Sequence, residues 1–519
     1  MGDVVIILPF LLPIAGAAVG MLLRRWHRLR AWWSLVVLAL ACAVTATVFW
    51  QVTQSGQART FQMGGWPSPF GITIVADALS VTMALMSQVV FVFGFVYALG
   101  AKDKAVHYET FHPLFLMLAA GLTGGMLTGD IFNLFVMIEL VVISGTVLTA
   151  ISDDRFGTEA AYKYFLISLI ASFTLLFGVG SLYASYGTLN MADLAQRISA
   201  NPEQPLLPIA LVLLSVTFMI KSAAVPFHFW QPDFHTASPT PVSAMLSSVV
   251  VKLGVYGFMR LTTLLAPSAT WIKDLLIVTG IVGVIFGGLG ALGTHNVKRM
   301  FAYSTLAQVG FIYIGVGWGT SLSLAAAVLF TINHAIIKSA MLMLSGYLAS
   351  RAPVKTASFS MVRGVGRYAP LSGVLFFLGG MALAGLPPSN GFISKWALFW
   401  SGVVAATSGA IQDRWIYWLP LGLVGISSVI TLVYVFRALM RIWWEPFEPP
   451  SPEEKVKPRG DSLLAPAGLV TLCVLLGLLG QPLTDWTQRV SEWMTQPGKY
   501  VQAVLQAEET HRRNLSVQP

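Results

Sequence analysis

Glu139, Lys221, Lys252, Lys338 and Lys395 stand inside long apolar runs of this 519-residue chain, and His334 comes one helical turn before Lys338. Carboxylate, ammonium and imidazole groups exchange protons, so the chemistry open to this set is proton or ion transfer. A bilayer core opposes each charged side chain by roughly 2.5 to 3.5 kcal/mol on insertion scales, and five such residues in one chain need a reason. Glu139 lies about two turns beyond Thr128-Gly129-Asp130-Ile131, too deep to be an ordinary helix cap. At roughly 4 Å and an effective dielectric near 20, a Glu139–Lys221 ion pair would be worth about 4 kcal/mol. Desolvation opposes the ions with similar size, so the protonation of such a pair can be switched. A structural counter-ion for a buried lysine is the plainer alternative, and it has the same geometry.

The other members extend the set. Lys252, in Ser247-Ser248-Val249-Val250-Val251-Lys252, sits mid-span and cannot snorkel to an interface. His334 and Lys338 are four residues apart and share a helix face. An imidazole with an ordinary pKa near 6.5 relays protons that a lysine alone would hold too tightly. Lys395 follows Pro387-Pro388-Ser389-Asn390-Gly391. His228, Asp233 and His235 surround Pro226 and Pro232 and offer a proton entrance, with plain loop structure as the alternative. Lys163 reads as a support residue for Lys221, and Asp77, Arg260, Arg437 and Arg441 fall near span ends, where charge costs little.

The elements that must hold these residues are membrane helices. Hydrophobic residues make up 55% of the chain and charged residues 11%, with a mean hydropathy of +0.71, which excludes an ordinary soluble protein. The net charge of +9 follows from basic residues crowding alternate loops and implies no nucleic acid. Cys42 and Cys473 lie in apolar runs without metal-ligand spacing, so neither a disulfide framework nor a metal site is expected. The opening Met1-Gly2-Asp3-Val4-Val5 lacks a basic signal-peptide region, and the first apolar segment is expected to be retained.

About fourteen segments suit a spanning helix, centred near 4–23, 32–52, 78–100, 112–128, 130–150, 160–184, 206–230, 241–263, 272–292, 300–318, 322–349, 370–400, 415–442 and 463–481. Arg24, Arg25, Arg28, Arg30, Lys102, Lys104, Arg155, Lys298, Arg299, Arg351, Lys355, Arg363 and Arg367 mark the cytoplasmic loops, together with the proline-rich stretch Glu445 to Asp461. The opposite connections hold only scattered basic residues such as Arg59, Arg197, Lys273 and Arg414, and both termini are expected outside. Trp486, Val490, Trp493 and Met494 are spaced for an interfacial helix, and a disordered tail is an alternative beyond Glu508.

The interior repeats. Ala160 to Ser185 (AAYKYFLISLIASFTLLFGVGSLYAS) matches Ala325 to Ser350 (AAAVLFTINHAIIKSAMLMLSGYLAS) at an offset of 165 residues. Each is followed by a span interrupted by proline, at Pro226 and at Pro387-Pro388. The matched helices are the sixth and eleventh spans, five places apart, so the halves should be inverted, the pattern of transporters whose ion sites lie at broken helices. Proline frees backbone groups that must find water or side chains at membrane depth. Lys221 lies just before the first break and Lys395 just after the second.

The run Thr128 to Glu139 (TGDIFNLFVMIE), Lys221 with Pro226 to His235 (PFHFWQPDFH), Ser238 to Ala244 (SPTPVSA), Asn333-His334-Ala335 with Lys338, and Gly385-Leu386-Pro387-Pro388 with Phe392 and Lys395 resemble the antiporter-type subunits of respiratory complex I and the Mrp cation/proton antiporters. Gly64-Gly65-Trp66-Pro67 and the TGDIFNLFVM run are most similar to the D-type subunit of Mrp Na+/H+ antiporters. The resemblance implies an all-α polytopic membrane protein of about 14 transmembrane helices with two inverted five-helix repeats, each containing a broken helix. Its expected divisions are an N-terminal three-helix region (1–110), a first repeat (111–263), a second repeat (264–442) and a last helix with tail (443–519).

The resemblance also implies a mid-membrane proton path through Glu139, Lys221, Lys252, His334 or Lys338, and Lys395. It implies a multisubunit complex in a prokaryotic inner membrane that moves protons and Na+, a transporter subunit rather than an enzyme. No cofactor is implied, because no nucleotide, flavin, haem or iron–sulfur motif is present. Two alternatives stay open: a proton-pumping subunit of a respiratory NADH dehydrogenase or membrane-bound hydrogenase, and a non-transporting scaffold. In one complex I pump subunit a glutamate stands where this chain has Lys395, and lysine argues against that subunit.

Overall fold

A computed structural model of the chain describes residues 4–152, 154–407, 415–448 and 455–505. Arg414, part of the Glu445 to Asp461 stretch and the tail beyond Glu508 lie outside the described residues. Among those described, ten helices are long and apolar enough to cross a membrane. The count becomes eleven if Leu464–Leu478 and Gln481–Met494, bent by 81° from each other, form one span. Phe111–Leu127, Leu207–Lys221 and Pro370–Ala384 are apolar but shorter. Every expected segment falls on helix, yet not every one is a full-length span.

Burial sorts the helices into a centre and a shell. Thr240–Leu265 and Ser321–Arg351 are buried along the whole of their apolar stretch and Val297–Trp318 along 94% of it, whereas His27–Ser55 is buried along only 33%. A helix apolar on all sides can face lipid or protein; hydroxyls and charges at every turn restrict it to protein. The central three carry Lys252, His334 and Lys338. Small residues let them close on their neighbours: a Cβ on Gly254 would lie 2.6 Å from the Ser222 amide nitrogen, so only glycine permits that approach.

Capping chemistry fixes where the helices start. Asp77 accepts from the Ser80 amide at 2.8 Å while the Ser80 hydroxyl accepts from the Asp77 amide at 2.8 Å. Asp130 caps Ile131–Ala150 through the Asn133 amide at 2.7 Å. Both expected breaks are present: Leu207–Lys221 stops before Pro226 and helix resumes at Trp230–Ala237, while Pro370–Ala384 stops before Pro387 and resumes at Asn390–Thr407.

Several expectations need correction. A two-stranded antiparallel ribbon, Arg59–Gln62 with Thr73–Ala76, interrupts the all-α pattern. Asp77 and Arg260 are not cheap terminal charges: they are 3% and 7% exposed and meet in a bidentate pair, 2.7 Å at each contact. Arg260 Nε also donates to the Tyr256 hydroxyl at 2.9 Å, and the guanidinium lies over the Tyr500 ring at 5.0 Å. Gln481–Met494 does not present its apolar face outward. It buries Val490 and Met494, and Trp486 Nε1 donates to Thr82 at 2.9 Å. Arg437 reaches the carbonyls of Leu292 and Thr294, which close the Thr270–Gly293 helix.

Removing one member of a buried pair strands the other charge. Arg260→Met is expected to destabilise the protein by about 3–5 kcal/mol, and Asp77→Leu combined with Arg260→Met should recover much of the loss. Thermal unfolding in detergent measures both; equal loss in the single and double variants would contradict an electrostatic role.

Candidate functional site

Lys221, Lys252, Lys338 and Lys395 are all buried, and each donates to a main-chain carbonyl. Lys221, the last residue of its helix, has Nζ 3.4 Å from Ser168 O. Lys252 has Nζ 3.3 Å from Ser247 O, inside the π-helical turn Leu246–Val250 that precedes it. Lys338 Nζ lies 3.1 Å from Phe301 O and 5.5 Å from the centre of the Phe301 ring. Lys395 Nζ is 2.9 Å from both Ala384 O and the Ser428 hydroxyl.

The broken and widened turns explain these partners. Carbonyls at the end of a helix lack an intrahelical donor, and Ala384 ends its helix at the second break, where Lys395 replaces the missing N–H. Gly385 makes this reach possible. Its φ of +82° turns the chain, and a Cβ there would lie 2.5 Å from Lys395 Cδ. Ser168 and Phe301 lie within continuous helices, and in both cases a hydroxyl four residues on shares the carbonyl. Ser172 Oγ is 2.8 Å from Ser168 O and Thr305 Oγ1 is 3.0 Å from Phe301 O. Such back-bonding bends helices and presents the oxygen to a further donor.

Glu139 meets Lys221 through this arrangement. No nitrogen–oxygen contact within 4 Å joins the two among the ion pairs of the described residues, although the carboxylate acts electrostatically on the ammonium. The direct ion pair expected from the sequence gives way to a bridge: the Ser172 hydroxyl hydrogen-bonds Glu139 and faces Ser168 O, the carbonyl that Lys221 uses. Ser172 has one proton to donate, so it serves the carboxylate or the carbonyl at any moment.

The central group contains Lys252, Lys338, His334 and His235. Both histidines are buried, neither ring has a hydrogen-bond partner among the described residues, and the two lysines are the charges that act on them. His334 and Lys395 line one cavity with Gln308, Asn333 and Ser394, leaving about 10 Å³ for water centres, room for one water molecule. That void links the central group to the last lysine. The expected entrance trio is not brought together. Asp233 pairs with Lys163 at 3.1 Å and Arg299 at 3.2 Å, His228 packs edge-on against Phe286, and only His235 reaches the centre. Lys163 therefore pairs with Glu159 at 2.7 Å and with Asp233, not with Lys221.

Buried broken helices around a row of ammonium and imidazole groups define a class, the multi-pass membrane subunits that move ions. The family follows from comparison: residues 128–411 match the family described as NADH:quinone oxidoreductase/Mrp antiporter, transmembrane, and the chain belongs to it as an antiporter-like subunit. It is 30% identical over 503 residues to the D-type subunit of the Na(+)/H(+) antiporter of Bacillus subtilis (strain 168), covering 96% of this chain and 99% of that one. It is 32% identical over 486 residues to NADH-quinone oxidoreductase subunit N of Desulforudis audaxviator (strain MP104C), covering 91% and 94%. Among solved structures, a chain of the Mrp complex from Dietzia sp. DQ12-45-1b matches with a TM-score of 0.87 at 25% identity, covering 96% of this chain and 99% of that one. A chain of the archaeal membrane-bound sulfane sulfur reductase matches with a TM-score of 0.87 at 30% identity, covering 97% and 100%.

Ser172→Ala removes only the hydroxyl between Glu139 and the Ser168 carbonyl. Proton transfer by the assembled complex, followed with a pH-sensitive dye in vesicles, should slow about tenfold, roughly 1.4 kcal/mol of barrier, and Ser172→Thr should restore it.

Proposed function

We propose that this chain is the proton-translocating subunit of a multisubunit Na+/H+ antiporter, carrying protons along Glu139, Lys221, Lys252, His334, Lys338 and Lys395. The observation that supports this most is the lysine row: ammonium groups held by carbonyls rather than carboxylates, with a water-sized void between His334 and Lys395. Neutral acceptors leave each lysine free to lose and regain a proton without stranding a buried carboxylate. The inferred fold has fourteen transmembrane helices. The inverted five-helix repeats lie within 111–263 and 264–442, between the N-terminal region 1–110 and the last helix with its tail, 443–519. The chain works as a transporter subunit, not an enzyme, in the inner membrane of a prokaryote, with both termini outside.

Partner subunits are required by Glu139 itself. It is only half-buried and lies on the stripe Phe132, Val136, Ile143 and Val147 of its helix, all exposed. A carboxylate midway along a spanning helix does not face hydrocarbon; another subunit covers it. The same row would serve a redox-driven proton pump, and the 32% identity to a NADH-quinone oxidoreductase subunit and the likeness to the sulfane sulfur reductase favour keeping that second reading. Copurifying redox subunits would decide for it.

Everted vesicles carrying the whole assembly test the first reading by dissipation of a pH gradient on Na+ addition. Glu139→Ala and Lys221→Ala should each lower exchange at least tenfold while a native gel shows intact complexes. Undiminished exchange in intact complexes would make the pair structural and place the ion route in another subunit.

A further inference from the structure

Asp461, in the loop before Leu464–Leu478, is 6% exposed although it stands outside the spans. Its Oδ1 accepts from the Lys102 amide at 2.9 Å, its Oδ2 from the Tyr97 hydroxyl at 2.7 Å, and its own amide donates to Ser350 Oγ at 2.9 Å. Lys355 and Asp103, paired with each other, face it from neighbouring loops, and it acts on Lys298, whose Nζ is bound to Ser238 O at 3.1 Å. Burial pushes the Asp461 carboxyl up from its ordinary value against the pull of Lys102, Tyr97 and Lys355. This end of the bundle carries Lys102, Lys104, Lys298 and Arg351, the charges that assign it to the cytoplasm.

A row of hydroxyls begins beneath Tyr97. Thr240 stands beside the Tyr97 hydroxyl and packs on Gly346. From there the fully buried central helix carries Ser243, Ser247 and Ser248 before Lys252, a hydroxyl at each turn. Ser243 Oγ donates to His235 O at 2.6 Å, Ser247 Oγ lies 2.6 Å from Thr305 Oγ1, and Ser339 donates to Ser248 at 2.7 Å. The unpartnered His235 ring is fully buried here, under the influence of Lys252 and Lys338.

We infer that Asp461 and Tyr97 form the cytoplasmic proton entrance, and that Thr240, Ser243 and Ser247 with His235 lead from it to Lys252 and Lys338. This rests on the proton-path reading and places the entrance away from Asp233, which is held between two cations. The carboxylate takes a proton from cytoplasmic water, and its new O–H turns toward the Tyr97 oxygen. Tyr97 passes its own proton to Thr240 as it receives the one from Asp461, and each hydroxyl from Thr240 onward releases its own proton to the next as it accepts one, so that the charge ends on a neutral Lys252 or Lys338 amine. One proton enters, one reaches the lysine, Tyr97 and the hydroxyls remain neutral, and Asp461 returns to the carboxylate; Na+-driven exchange in everted vesicles runs the same relay in reverse and releases the proton at Asp461.

The test uses the whole assembly in everted vesicles, with Na+-driven dissipation of the pH gradient as readout and a native gel for assembly. Asp461→Asn keeps an acceptor for Lys102 but cannot be protonated, and is expected to lower exchange at least tenfold. Asp461→Glu should retain most of it, and Tyr97→Phe, which keeps the ring, should fall with Asp461→Asn. A latch alone would be served by asparagine, so unchanged exchange in intact Asp461→Asn complexes overturns the inference, as does equal loss in Asp461→Asn and Asp461→Glu. If Asp461→Asn does not assemble, Tyr97→Phe decides by the same criterion. Glu139→Gln in the same preparation separates the two claims: loss there beside normal Asp461→Asn exchange overturns the entrance alone, whereas normal Glu139→Gln exchange overturns the underlying path and the entrance with it.

Discussion

An ammonium group placed in a low-dielectric interior must find oxygen, and in this fold the oxygen comes from the backbone. Ser168, Ser247, Phe301 and Ala384 each give a carbonyl to one lysine. In a regular helix each carbonyl already accepts the N–H one turn on, and its second lone pair is poorly presented to a side chain packed against the helix. The irregular features follow from that constraint: a helix stopped at Ala384, a π-helical turn at Leu246–Val250, and hydroxyls at Ser172 and Thr305 that tilt the carbonyls they share. Straightening any of these would remove an acceptor and leave a buried charge uncompensated, a far larger cost than the local strain of the break.

Carboxylates are kept to the margins of the row. Glu139 sits at one end behind a serine, Asp233 is held by Lys163 and Arg299, and Asp77 is consumed by Arg260. A carboxylate in direct contact with a central lysine would hold its proton by several kcal/mol. A carbonyl offers a dipole in place of a charge, and the row can then change protonation in small steps. The Asp77–Arg260 pair shows the opposite solution on the same helix as Lys252. There both charges are permanent, and Tyr256 and Tyr500 close over them.

The helices and their breaks were legible in the sequence because they rest on local signals: apolar runs about twenty residues long, and prolines that cannot continue a helix. The lysines were legible because charge inside such runs is costly wherever it falls. Their partners were not. Ser172 and Ser428 are ordinary small residues in apolar helices, and only packing makes one a bridge and the other a ligand of Lys395. Asp77 and Arg260 looked inexpensive because each lies near the end of its own helix; that the two ends meet under Tyr500 is a fact of tertiary contact. His235 and Asp233 are two residues apart on one short helix and so point to different sides, which neighbours in sequence conceal. The spacing of Trp486, Val490, Trp493 and Met494 marks an apolar face, but periodicity does not say whether lipid or protein covers it.

The three central helices also bear on how the chain is made. They are the least apolar of the ten spans, and two of them carry Lys252 and Lys338. A segment of that kind gains little by entering lipid alone. Five more apolar spans, from Val4–Leu22 to Arg155–Tyr186, precede it in the chain. Synthesis from the N-terminus therefore lays down a protein wall first, and Thr240–Leu265 enters a membrane that already holds Phe218 and Ser222, against which its glycines close. The order of segments along the polypeptide is in this sense an assembly instruction: five lipid-compatible helices are inserted before the first that only protein can solvate.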